Sequence, residues 1–162
     1  MKSNILILSM LILQFNLPAL AASTQLSPAD EASVFKSAGY KKNGNQWKSC
    51  DDPSPSYTSG KIEQVADLNG DGLLEAVVTE SSAYCYGNTG TSYTLVSKRG
   101  NGRWKPVTSG IGVPSFLSTI GSQGWPDLEV GGPGFCFPVE RWNGKKYVTH
   151  RYQYEGKPCL PK

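Results

Sequence analysis

The chain holds a single histidine, His150, and none of its four cysteines stand as Cys-x-x-Cys. Thioredoxin-like redox chemistry needs that thiol spacing, and zinc sites draw on closely spaced Cys and His, so the sequence argues against both. No Gly-x-Ser-x-Gly, His-Glu-x-x-His or phosphate-binding loop occurs, which removes the usual short signatures of hydrolases, zinc peptidases and nucleotide-using enzymes. Long apolar runs are missing too. Beyond the first segment none nears about 18 residues, the length that crosses a bilayer. Charge is sparse: 16 Lys and Arg against 13 Asp and Glu give a net +3, too weak a balance for a nucleic-acid target.

What is present begins with an address. Lys2 precedes the apolar run Ile5–Leu13, and Ala19-Leu20-Ala21 offers the small residues at which signal peptidase cuts. Residues 1–21 therefore read as a signal peptide; removing them from the 162 leaves 141, a single domain over 22–162. No Cys closely follows the apolar run, so a periplasmic or secreted protein is expected rather than a lipoprotein. In such an oxidising compartment Cys50, Cys85, Cys136 and Cys159 read as two disulfides. Three pairings exist; Cys50–Cys85 with Cys136–Cys159 is favoured because each closes a moderate loop without threading. Charge is unevenly placed, with nine acids and five bases from Ala22 to Val96 but four acids and ten bases from Ser97 to Lys162. The bland meaning is solvated surface; the sharper one is a basic half facing an acidic partner.

Ser27-Pro28-Ala29-Asp30-Glu31 predicts a helix start, with Ser27 as cap and Asp30 closing the capping box, and Gly39 supplies the stop. After this one short helix the chain reads as β. Hairpins are expected around Asn43-Gly44, Gly100-Asn101-Gly102 and Asn143-Gly144, since Asn-Gly suits a type I′ turn with positive φ at both central residues. Strands over 62–65, 74–79, 93–97, 128–130 and 147–154 complete about eight to ten in all. The expected fold is mainly β, antiparallel, in two pseudo-repeated halves. The repeat rests on aligning Gly72–Val77 with Gly124–Glu129, a register that sets Thr119, Gly121 and Gln123 where Asp67, Asn69 and Asp71 stand and keeps only Asp127 as a carboxylate.

The densest chemistry is Asp67-Leu68-Asn69-Gly70-Asp71-Gly72-Leu73-Leu74-Glu75. Calcium takes six to eight oxygens, and Asp67, Asn69, Asp71 and Glu75 supply side-chain oxygens while Leu73 offers its carbonyl. Gly70 and Gly72 let the backbone curl around the ion. An EF-hand would need its bidentate acid where Val78 stands, and Ala76-Val77-Val78-Thr79 reads as a strand rather than an exiting helix. The loop is therefore hairpin-borne; the competing meaning is a turn that merely favours Asn-Gly and Asp-Gly.

On these residues, Val65–Thr79 resembles the cation-binding hairpin of FG-GAP/VCBS repeats, found in integrin α-subunit propellers and many exported bacterial proteins. The whole chain also resembles small exported proteobacterial proteins carrying Gly-Pro-Gly-Phe-Cys-Phe-Pro-Val and Arg-Trp-Asn-Gly-Lys, here Gly132–Val139 and Arg141–Lys145. The resemblance implies calcium as cofactor, with Asp67, Asn69, Asp71, Leu73 and Glu75 as ligands. The family usually has Asp at the ninth position, where this chain has the longer Glu75. It does not imply a propeller, which needs at least four blades of about 40–50 residues.

No catalytic residue is expected. His150 alternates with its neighbours on a strand, without a nearby nucleophile, and Asp51-Asp52 runs into Pro53 as a loop start. Tyr84, Tyr86, Tyr93, Trp125, Trp142, Tyr152 and Tyr154 read first as cross-strand packing and second as a surface for sugar or protein. Two functional classes follow: a calcium-bearing binding, adaptor or inhibitor-type module whose partner is a protein or envelope glycan, and a small hydrolase acting on envelope glycan or peptide.

Overall fold

Ser27 opens the first element as its sequence predicts. In the structure, a computed structural model describing residues 25–161, its side chain accepts from the Asp30 amide at 3.1 Å and Pro28 begins helix α1, Pro28–Ser37. The expected signal peptide, residues 1–21, lies outside the described residues. The helix stops in a Schellman arrangement: the Tyr40 amide donates to the Phe35 carbonyl at 2.9 Å and the Gly39 amide to Lys36 at 3.1 Å. That geometry requires the left-handed φ of +89° at Gly39. At its other end Asp30 accepts from Trp104 Nε1 at 3.0 Å and pairs with Lys98 Nζ at 3.0 Å, tying the helix to the sheet beneath.

Eleven strands follow, in antiparallel pairs throughout. Strands β1 (Lys41–Asn43) and β2 (Gln46–Lys48) form a small hairpin. Strands β3 (Thr58–Ala66), β4 (Glu75–Ser81), β5 (Thr91–Lys98) and β6 (Trp104–Ile111) make a four-stranded sheet in sequence order. Strands β7 (Val113–Ile120), β8 (Pro126–Gly131), β9 (Phe137–Trp142), β10 (Tyr147–Tyr154) and β11 (Lys157–Pro158) make the second, again in sequence order. The class is mainly β as expected, and the two disulfides are Cys50–Cys85 and Cys136–Cys159.

Alternation along β4 and β5 sets the layers. Ala76, Val78 and Val96 face α1, packing with Val34, Phe35, Tyr40 and Trp104. Val77, Tyr93 and Leu95 face the other way, onto Trp125, Leu128 and Tyr147 of the second sheet's side. The first sheet is therefore buried on both faces, which explains the unbroken apolar run Ala76-Val77-Val78.

Strand register sorts the connections into two ends. Glu75 pairs with Ser97, Ile120 with Pro126, and Trp142 with Tyr147. The turns 67–74, 99–103, 121–125 and 143–146 thus share one end, where a Cβ on Gly124 would fall 2.2 Å from the Asn69 carbonyl oxygen. Pairs Ser81–Thr91, Ser92–Ile111 and Val113–Gly131 mark the opposite end, which carries both disulfides.

Three differences from the sequence reading have physical reasons. A second short helix, α2 (Ala83–Tyr86), joins β4 to β5; Ser82 Oγ accepts from the Cys85 amide at 2.9 Å. Pro114 and the polar residues Ser115, Ser118 and Thr119 blur the pattern of strand β7 in the sequence, but it lies at a sheet edge, where a missing amide is tolerated. The Asn-Gly hairpins also use asparagine differently. Positive φ is taken by Gly44, Gly102 and Gly144 and by no Asn, whereas Asn143 Oδ1 accepts from the Lys145 and Lys146 amides, each at 3.0 Å.

Leu95 is fully buried between the sheets, so Leu95→Ala is expected to lower unfolding free energy by about 2–5 kcal/mol in urea titration. Ile120→Ser, at an exposed position, is expected to stay within about 0.5 kcal/mol of the parent.

Candidate functional site

Strand β3 ends at Ala66 and β4 starts at Glu75, leaving Asp67–Leu74 to turn the chain. Gly70 and Gly72 adopt φ of +76° and +82°, which a side chain would strain. The loop winds around Asp67. Its Oδ1 accepts from the Gly70 amide at 2.8 Å and the Asp71 amide at 3.2 Å, and its Oδ2 from Gly72 at 2.9 Å. Asn69 Oδ1 accepts from the Asp71 amide at 3.0 Å, and Asp71 Oδ1 from the Leu73 amide at 2.8 Å. The expected ligand residues thus lie in one tight turn, and their oxygens retain acceptor capacity, since each carboxylate has about four lone-pair directions.

Glu75 stands apart from the exposed members of the loop. It is 0% exposed; Oε2 accepts from the Leu68 amide at 2.8 Å, while Oε1 is buried with no hydrogen-bond partner. Burial pushes its carboxyl up. The Leu68 amide and Ser97 hydroxyl pull it down, the Asp71 and Asp67 charges push it up again, and the result is above the ordinary glutamate value. Among the described residues no group of three His, Cys, Asp or Glu side chains is close enough to hold a metal ion. The carboxylates of Asp67, Asp71 and Glu75 are thus not gathered about one point, and a cation would draw them in together with Asn69 and the Leu73 carbonyl, donors that calcium also accepts. The donor set fits a hard cation in composition, and the Glu75 Oε1 is left without a partner.

Two further buried carboxylates show how this fold otherwise satisfies such groups. Asp127, second residue of β8, is 0% exposed. Arg141 holds it in a fork, Nε to Oδ1 and Nη2 to Oδ2, both at 2.8 Å; Arg151 Nη1 adds a contact at 2.9 Å and Thr119 Oγ1 one at 2.5 Å. Burial pushes the Asp127 carboxyl up, but the hydrogen bonds from Arg141, Thr119 and Arg151 outweigh it and hold the group well below the usual carboxylate range. Glu80 takes a different course. Its Oε1 accepts from the Ser49 amide at 2.9 Å and Tyr57 hydroxyl at 2.5 Å, and its Oε2 from the hydroxyls of Ser49 and Tyr86. Burial again opposes ionisation there, and the ring of hydroxyls lowers the pKa regardless.

Sequence reading found the loop but not these two clusters. In the sequence Asp127 stands out only as the residue aligned with Glu75; its arginines lie 14 and 24 positions downstream, out of reach of any local motif. Glu80 gathers Ser49, Tyr57 and Tyr86 from three segments, with no signal in spacing. His150 is exposed on β10. The aromatics divide: Trp125, Trp142 and Tyr147 interlock at centroid separations of 5.4–6.2 Å, Tyr86 serves Glu80, and Tyr84 stands exposed. Compared with family models, curated proteins and solved structures, the chain matches none of them.

Asp127→Asn leaves two guanidiniums without their counter-charge and is expected to cost on the order of 2 kcal/mol at neutral pH, a buried-pair figure discounted because both arginines are about one-third exposed. The wild-type carboxyl is depressed in the folded state, so its contribution is complete above the unfolded aspartate value, about 3.9, and fades as pH falls through the lower folded value. Urea titrations from neutral to strongly acidic pH are expected to show a shallower acid decline in the variant.

Proposed function

We propose that the chain is an exported calcium-binding β domain of the cell envelope, a binding, adaptor or inhibitor-type module in which calcium is structural. The observation that carries the cation is Glu75: a wholly buried carboxylate with one oxygen unpartnered, at the foot of a turn bearing Asp67, Asn69 and Asp71. Asp127, near the start of the corresponding strand of the second sheet, has its charge answered by Arg141 and Arg151. Glu75 has no such cation among the described residues, and a divalent ion from solution supplies it in this reading. Asp67, Asn69, Asp71, Glu75 and the Leu73 carbonyl would hold the ion, which contributes charge neutralisation rather than chemistry. The FG-GAP/VCBS-like sequence of 65–79 supports the same assignment.

Compartment and role follow from coarser support. Two disulfides accord with an oxidising environment, and among the described residues no helix is long and apolar enough to cross a membrane. The leader-like residues 1–21 add the export signal, and a periplasmic or secreted location meets calcium in abundance. Extracellular modules commonly bind it at about 10⁻⁴–10⁻³ M. A binding role is favoured over hydrolysis because the buried acids Asp127 and Glu80 are saturated by arginines and hydroxyls, which leaves neither free to move a proton.

Calcium at a hundredfold excess over its dissociation constant is expected to stabilise the fold by about 2.7 kcal/mol, read as a higher Tm than in chelator. Asp71→Ala is expected to abolish that difference and the calorimetric heat of calcium addition; a variant responding like its parent removes the site. Affinity capture from envelope extract, with and without calcium, is expected to return a stoichiometric protein or glycan partner. Turnover of peptidoglycan fragments by pure protein, lost on substituting an acid outside the loop, would instead establish the hydrolase.

A further inference from the structure

The outer face of the second sheet carries more positive charge than it uses. Arg141 and Arg151 share the single carboxylate of Asp127, which is fully enclosed while both guanidiniums stay about one-third exposed. The negative group lies underneath and the positive ones reach solvent. Arg141 spends one fork on that carboxylate, Nε on Oδ1 and Nη2 on Oδ2. Its second fork, Nη1 with the other hydrogen of Nη2, has no acceptor among the described residues. A planar fork of that kind matches a carboxylate in two parallel hydrogen bonds.

Arg141 also lines a hollow of about 580 Å³ between the 121–125 and 143–146 turns, a size usual for small-ligand sites. Its walls are fixed. A Cβ on Gly121 would fall 2.7 Å from the Trp142 carbonyl oxygen and 2.8 Å from Arg141 Cγ, so the first turn sits directly against β9. Trp142 Nε1 donates to Gln123 Oε1 at 3.0 Å and joins the two walls. The Ser122 and Thr149 hydroxyls in the lining have no hydrogen-bond partner among the described residues. The side-chain nitrogen of Asn143 has none either, while its oxygen holds its own turn. Ile120, Trp142 and Val148 add apolar surface beside them. The 143–146 turn carries exposed Lys145 and Lys146, neither in a salt bridge among the described residues. The acids Glu129 and Glu140 of the second sheet line no part of the hollow. Nor do Asp67 and Asp71, which share this end in the loop that abuts Gly124.

We infer that this hollow binds a carboxylated saccharide, an inference that rests on the chain being a binding module but not on its calcium. Each part of such a ligand has a counterpart in the lining. The free fork of Arg141 takes the carboxylate, and Ser122, Asn143 and Thr149 meet hydroxyl and acetamido groups. The C–H face of a sugar ring lies against Ile120, Trp142 and Val148. A neutral sugar would strip water from the second fork without answering it. An acidic protein fits less well: a stable protein interface covers roughly 800 Å² on each partner, whereas the free donors here are gathered in one recess.

Isothermal titration calorimetry on protein recovered after expression of the full chain, run with calcium and with chelator, tests the site. Two carboxylated probes are used, a disaccharide of N-acetylglucosamine with N-acetylmuramic acid and a hyaluronate tetrasaccharide. Chitobiose, which has no carboxylate, is the neutral control. At least one acidic probe is expected to bind in both conditions, by about tenfold or more over chitobiose. Which of the two binds separates a lactyl carboxylate from a uronate. Arg141→Lys keeps a positive charge beside Asp127 but removes the fork, and is expected to weaken binding by about tenfold. Ser122→Glu, at an exposed position whose side chain makes no hydrogen bond among the described residues, is expected to abolish binding with circular dichroism unchanged. Lys42→Glu, exposed on the α1 side of the first sheet, removes more positive charge and is expected to leave binding unchanged. No heat with either acidic probe, equal binding of chitobiose, or equal displacement by inorganic phosphate overturns the inference, as does tighter binding to phosphatidylglycerol vesicles. Calcium heat that persists without sugar binding strikes this site alone, and sugar binding without calcium heat strikes the cation loop alone.

Discussion

A carboxylate cannot be buried alone, and the described residues bury four: Asp52, which accepts from the Ser82 hydroxyl and the Ser54 amide, and three that are almost wholly enclosed. Glu80 is met by hydroxyls and an amide, Asp127 by two guanidiniums, and Glu75 by one amide with an oxygen to spare. Each solution draws together parts of the chain that strand pairing leaves separate. Glu80 clasps the 49–57 segment, which has no long strand of its own, against the first sheet. Asp127 locks β7, β9 and β10 across the outer face of the second. Glu75 fixes the base of its turn through Leu68, whose side chain joins the apolar layer between the sheets.

The same residues explain where the stack of layers stops. The first sheet has apolar groups on both faces, so it needs α1 on one side and the second sheet on the other. The second sheet turns Leu128 inward, while Asp127 and Glu129 point outward with Arg141, Arg151 and Gln153. A polar network of that kind gives nothing for a third sheet to bury against, and layering ends there.

Local physics was legible in the sequence; assembled chemistry was not. The α1 cap and stop and strands β5, β8 and β10 follow from patterns within a few residues, such as Ser27 to Asp30 or the alternation around Leu95, while the two disulfides, 35 and 23 positions apart, follow from compartment and loop closure. The 67–75 turn was legible because all of its polar groups lie in nine consecutive residues. Strand β7 was hidden by Pro114, whose lost amide matters only if the strand is central, a fact settled by the whole sheet. The Glu80 and Asp127 clusters join residues from 6 to 31 positions apart at no regular interval, and no spacing rule reaches them. The asparagines of the hairpins were read as backbone conformers, but Asn143 acts through its side-chain oxygen.

Both sheets are meanders, each strand paired with its neighbours in sequence. A polypeptide emerging amino end first can therefore finish helix, hairpin and first sheet by Ile111, before any of the second sheet exists. The inter-layer residues Val77, Tyr93 and Leu95 then stand ready as a template on which Leu128 and Tyr147 settle in turn. Assembly by accretion, with each step extending what is already formed, spares this chain the long-range search that slows most all-β proteins.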